Sequence, residues 1–163
     1  MNAELEHLAS TLALSSLESR PLALAFGLAC ARRIEHLLEQ QAVVECLNGL
    51  AAHVSGMASS EQLEVWAAEA ARLASQHRGS NSIDGCGHAA VSATYGVSKA
   101  VAGKALEAAH YCAYAAIYAS GGYAAVAEVE AFEPEVVWQL SCLRRLALQS
   151  QAEAGARPAK CDA

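Results

Sequence analysis

Residues that favour β-strands are scarce in this chain: 11 Val, 3 Ile and 2 Thr among 163 residues. A pleated sheet is built largely from such side chains, so an architecture resting on strands is excluded at the outset. Aspartate is scarcer still, with Asp84 and Asp162 alone, so acid/base chemistry would have to fall to glutamates. There is no GxSxG nucleophile turn, no Walker loop, no GxGxxG, no HExxH, no 12-residue calcium loop and no CxxC. Charged residues make up 17%, below the usual quarter. The helices are therefore buried on broad faces, or one face is kept for a partner.

Basic residues are also few. Eleven Lys and Arg stand against 17 acids, for a net charge of −6. Phosphate binding needs clustered cations, so nucleic acid is not expected as a partner, whereas a basic protein is. A secretory leader is not expected, because the N-terminal MNAELEHLAS is acidic and polar. Residues 108–127 carry no formal charge, but they hold His110, four Tyr and a Gly121-Gly122 break, and most of the rest is Ala. They lack the apolar density of a membrane span and are expected to form a buried helix of a cytoplasmic protein.

What the chain does have is alanine: 38 residues, with Leu, Glu, Gln and Arg filling much of the rest, the strongest helix formers. The expectation is an all-α fold, a single compact bundle of six to seven antiparallel helices over 1–151, with 152–163 as a disordered tail. A short amphipathic helix covers 3–16. Pro21 then suits the first turn of a second helix reaching Gln40, striped by Leu22, Phe26, Cys30, Ile34, Leu37 and Leu38. Arg33 falls near the middle of that stripe; it is expected to snorkel at the stripe edge, the alternative being burial against a carboxylate. The third helix covers 41–54 and Gly56 ends it. Ser59 and Gln62 have capping-box spacing for a fourth helix reaching His77. Residues 78–87 form a loop.

The fifth (87–102) and sixth (104–120) helices carry small residues every four positions: Ala89, Ala93, Val97 and Val101, then Ala105, Ala109 and Ala113, with Ala116 one step off. Such ridges allow close helix packing. Tyr111, Tyr114 and Tyr118 share another face of the sixth helix, a stripe expected to belong to the core. After the Gly121-Gly122 break, 123–132 form a short extra turn. Glu133-Pro134-Glu135 starts the last helix, with Val136, Val137, Leu140, Leu143 and Ala147 inward.

Six cysteines occur, four of them (Cys30, Cys46, Cys112, Cys142) inside helical patterns; they are expected to be reduced, buried and hydrophobic in role. The nearest thing to a zinc set is Cys86 and His88 with His110 and Cys112. Residues i and i+2 on a helix point about 200° apart, which separates His110 from Cys112. A hairpin turning near Gly103 would set His88 against position 118 rather than 110. No metal and no cofactor are expected, and no catalytic residue.

Three segments together carry a resemblance: LALAFGLACARRIEHLLEQ (22–40), VVECLNGLAAHVSGMASSEQLEVWAAEA (43–70) and the closing EVVWQLSCLRRL (135–146). In order and over about 130 residues, the chain resembles a family of small Ala-rich helical bacterial immunity proteins. Arg33, Trp138 and Arg144 match that family's pattern and look structural. The resemblance implies a cytosolic protein that binds and neutralises a cognate toxin in interbacterial competition. A toxin acting on nucleic acid would have a basic active-site surface, which an acidic inhibitor can occupy. Two other functions stay open: a helical scaffold or adaptor, and a small-ligand binder or enzyme using the Tyr/His-lined sixth helix.

Partner contact is expected on an acidic, loop-bearing face. The candidates are Ile83 and Asp84 in the loop 80–84, and the acids Glu128, Glu130, Glu133 and Glu135. A fallback face lies around Glu35, Glu39, Glu61 and Glu64.

Overall fold

The computed structural model describes residues 2–78 and 86–156. Over these it holds seven α-helices, α1 (Ala3–Thr11), α2 (Arg20–Arg33), α3 (Gln41–Val54), α4 (Ser60–Gln76), α5 (Cys86–Val101), α6 (Ala105–Ala125) and α7 (Glu133–Ala156), with 3-10 turns at Glu35–Leu37 and Val129–Phe132. No strand occurs among the described residues. They form one all-α bundle. Helix α5 is its hub, packing on α6, α4, α2 and α3, while α7 lies across α2 and α6 and carries α1. No helix among the described residues is long and apolar enough to cross a membrane.

The α5–α6 hairpin turns at Gly103, whose φ of +75° suits glycine. Its small-residue ridges are buried as the spacing predicts: Ala93, Val97, Val101 and Ala109 have no exposed surface. Gly96 lies so close to α6 that an added Cβ would meet Cys112 Sγ at 2.8 Å. The same economy recurs where α2 crosses α5, where a Cβ added to Gly27 would meet Ala100 Cα at 3.1 Å. Alanine and glycine thus bring backbones together, and dispersion summed over that contact replaces the large side chains the chain lacks.

Helix ends follow their local chemistry. Asn2 Oδ1 accepts hydrogen bonds from the amides of Glu4 (3.0 Å) and Leu5 (3.2 Å), capping α1. The Ser59–Gln62 capping box forms in both directions, at 3.3 and 2.9 Å. Gly56 at φ +77° closes α3, with Met57 N–H donating to Ala52 O (2.8 Å) and Gly56 N–H to His53 O (2.9 Å). That is the paired-bond ending that left-handed glycine makes possible.

Three boundaries differ from the sequence expectation. Helix α1 stops at Thr11, not near 16, because Ala13 takes a positive φ of 47° and turns the chain. Helix α2 stops at Arg33; a single 3-10 turn follows, and Leu38 and Gln40 are extended. No Gly or Pro marks that stop. It brings buried Ile34 and half-buried Leu37 and Leu38 onto the core. Helix α7 runs on to Ala156, past the boundary expected at 151.

The four cysteines placed in helices are free and buried. Burial pushes the thiols of Cys30, Cys46, Cys112 and Cys142 up from their ordinary range, so they stay protonated and unreactive. An aromatic disulfide reagent should leave these four unlabelled in the native protein and label them all in denaturant. Rapid native labelling of any one would contradict the packing described.

Candidate partner-binding cleft

Gly122 decides where the site lies. Its φ of 69° and ψ of −167° fall in a region open essentially to glycine alone, so α6 breaks there as the Gly121-Gly122 pair predicts. The chain then swings through residues 123–128 and the turn Val129–Phe132 into α7. Between that turn, α6, α7 and the N-terminus of α1 lies a cleft of about 660 Å³. Its walls are Tyr114, Phe132, Val126, Val129, Val136, Val137 and Leu140, and its polar groups are Asn2, Glu4, His110, Glu130, Glu133 and Gln139. Neither Lys nor Arg lines it.

Several wall residues face water. Val129 is 81% exposed and Val137 56%. Val137 was expected to point inward. It stands off the Leu140, Leu143 and Ala147 stripe, which is the buried one, and opens onto the cleft instead. Tyr114 holds the cleft's inner wall, edge-on to Phe132 (4.9 Å between centroids) and to His110 (4.8 Å).

The tyrosine stripe is not core. Tyr111, Tyr114 and Tyr118 are all half-buried, because alanine ridges already fill the space behind α6 and leave no room for rings. They form a ladder along the outer side. Tyr95 stacks on Tyr111 at 5.2 Å, and Tyr118 stacks with His88 at 5.2 Å and lies 6.2 Å from Tyr123. His88 thus meets position 118, as a hairpin turning at Gly103 requires, while His110 meets Tyr114. Among the described residues no group of three or more His, Cys, Asp or Glu is placed to hold a metal ion.

The expected acids separate into two kinds. Glu128, Glu130 and Glu133 are exposed, and the latter two sit at the cleft. Glu135 is not a surface acid. It turns inward at 7% exposure and takes Arg33 Nε at 2.8 and 3.1 Å. Helical geometry explains this, since Glu135 precedes buried Gln139 by four residues and Cys142 by seven, on α7's inner side. Arg33 keeps its side chain 40% exposed, with its guanidinium carbon 4.7 Å from the Trp138 ring. It therefore sits at the stripe edge, as snorkelling predicts, and also holds a carboxylate. Ile83 and Asp84 lie outside the described residues. Of the fallback acids, Glu35 is tied to Arg32 at 2.7 Å, while Glu39, Glu61 and Glu64 are exposed.

A second groove of about 500 Å³ runs between α1 and the start of α6. Its charges are mostly matched, with Glu6 alone lacking an ion-pair partner among the described residues: Glu107 takes Lys99 at 2.5 Å and Lys104 at 3.7 Å. The Lys99 ammonium beside it holds the Glu107 carboxyl below its usual range, and Glu107 raises Lys99. That groove offers a partner one uncompensated carboxylate, Glu6, against two in the cleft.

Burial pushes His110 below the ordinary histidine value, because a charged imidazole would lose solvation among Tyr114, Tyr111 and the cleft wall. A depressed histidine contributes stability above the unfolded pKa and loses it as pH falls through the folded one. His110→Gln should therefore flatten the decline in stability below neutrality, and the NMR titration of His110 should have its midpoint below the ordinary histidine value. A His110 midpoint at or above the ordinary histidine value would contradict the burial argument.

Comparison of the chain with protein-family models, curated proteins and solved structures gives no match.

Proposed function

We propose that this is an immunity-type inhibitor, which binds a bacterial toxin with a basic working surface and occludes it. The observation that carries the proposal is the cleft: exposed Val129 and Val137 beside the carboxylates of Glu130 and Glu133, with no cation in the lining. Apolar anchors surrounded by acid suit a basic groove, where charge sets orientation and on-rate and the desolvated apolar contacts hold the complex. The net charge of −6 and the likeness of segments 22–40, 43–70 and 135–146 to immunity proteins support the same function.

The test is rescue. The product of the neighbouring gene is expressed in a sensitive host with and without this protein. Growth arrest relieved by co-expression is expected; a harmless neighbour, or arrest that co-expression leaves untouched, would remove the proposal. A small-ligand role is favoured by one feature, the His110, Tyr114 and Phe132 wall. It would leave the neighbour's toxicity unchanged.

A further inference from the structure

We infer that the cleft is an arginine-anchored docking site: it receives a segment of the partner protein in which one arginine stands between apolar side chains. The inference rests on the inhibitor proposal for the nature of the partner, and on the cleft for the chemistry.

The walls settle the apolar part. Val129 and Val137 are large aliphatic side chains left mostly in water, and the faces of Tyr114 and Phe132 are half-covered. A cleft of about 660 Å³ has room for several side chains rather than one. Such pockets span roughly 300–1,000 Å³.

Charge settles the rest. Glu4 is offset by Arg144 at 3.0 Å, whereas Glu130 and Glu133 have no ion-pair partner among the described residues. The N-termini of α1 and α7 both lie at the cleft and oppose them. Each terminus is worth about half a positive charge. Asn2 already satisfies two of the α1 amides, and the lining holds no Lys or Arg side chain against Glu130 and Glu133. His110, held neutral by burial at physiological pH, adds nothing. The unpaired side chains of the lining are therefore carboxylates, which a guanidinium can bond directly and an anion cannot.

Arginine fits better than lysine. A planar guanidinium lies on an aromatic ring while its edge bonds a carboxylate, which a compact ammonium does less well. The protein already uses this arrangement internally, with Arg33 between the carboxylate of Glu135 and the ring of Trp138. The cleft presents the two receiving parts, carboxylate and ring, without the guanidinium.

The test uses capped tripeptides with leucine on either side of arginine, lysine, citrulline or glutamate, titrated against the full chain while the side-chain NMR signals of Tyr114, Phe132, Val129 and Val137 are followed. The arginine peptide should shift these signals, citrulline should bind about tenfold more weakly, and glutamate should not bind. Glu130→Gln/Glu133→Gln should bring arginine close to citrulline while lowering the melting temperature by only a few degrees, since both acids are exposed and lose only the helix-dipole contact. Equal binding of arginine and citrulline would overturn the inference in favour of a purely apolar occupant. Shifts mapping away from the cleft, or none at all, would overturn it outright. Concentration-dependent shifts of the same signals without peptide would instead assign the cleft to a second copy of the chain. Toxin neutralised with the cleft signals unmoved would sink this inference and leave the inhibitor proposal standing; peptide bound without any neutralisation would do the reverse.

Discussion

Glu135→Lys should cost about 2–4 kcal/mol, because it breaks a part-buried ion pair and sets a second cation beside Arg33. The substitution sets an ammonium against Arg33 at a position 7% exposed, where water screens the repulsion from the Arg33 side only. Against a total stability of about 5–15 kcal/mol for a domain, that is a large share. Arg33→Ala should cost less, about 1–3 kcal/mol, because Arg33 is 40% exposed on its side chain and water reaches the carboxylate once the guanidinium is gone. The swap Arg33→Glu/Glu135→Arg should recover part of the loss. Urea unfolding of the four proteins measures this directly. A Glu135→Lys variant within about 0.5 kcal/mol of the parent would show that the pair is not formed. The consequence for function is practical. A charge reversal that includes Glu135 confounds unfolding with loss of binding, so only Glu128, Glu130 and Glu133 can be reversed as surface acids.

Gly49→Ala should also destabilise. Gly49 lies in the middle of α3, where alanine would ordinarily be favoured by about 1 kcal/mol. Here the Trp66 ring of α4 lies flat on the glycine, and an added Cβ would stand 2.5 Å from Cε2 and Cε3. No carbon pair sits that close, so the indole or the whole of α4 must move. Overpacking of this kind costs about 1–3 kcal/mol, so against the propensity gain of about 1 kcal/mol the net loss is up to about 2 kcal/mol. The reciprocal change Trp66→Leu should be milder, and combining it with Gly49→Ala should be less damaging than the sum of the two, because the smaller side chain leaves room for the methyl. Additive losses in thermal unfolding would contradict the close approach of α3 and α4.

How much of this was legible in the sequence depended on the range of the interaction. Caps and breaks are local, and Ser59–Gln62, Gly56, Pro21 and Gly122 all act where their residue types place them. The alanine ridges of α5 and α6 were readable from spacing alone, and from them the register that sets His88 against Tyr118. What could not be read was long-range. The partner of Arg33 lies 102 residues away, and nothing near Glu135 distinguishes it from Glu133 or Glu130. The end of α2 at Arg33 has no local signal either; packing of Ile34, Leu37 and Leu38 sets it. The tyrosine stripe misled because periodicity identifies a face without saying which face is inside, and alanine had already taken the inner one. The cleft was half visible: Glu130 and Glu133 were found, but Val129 and Val137 were not, since an apolar residue reads as core until the fold leaves it uncovered.

The measurement that bears most directly on the central claim is toxin rescue by three versions of the full chain, each first confirmed folded by its melting curve. The parent should restore growth against its cognate toxin, Glu128→Lys/Glu130→Lys/Glu133→Lys should fail to do so, and Glu39→Lys/Glu61→Lys/Glu64→Lys should restore growth as the parent does. Full rescue by the first triple variant, or loss of rescue confined to the second, would contradict the assignment of the acidic cleft as the inhibitory surface.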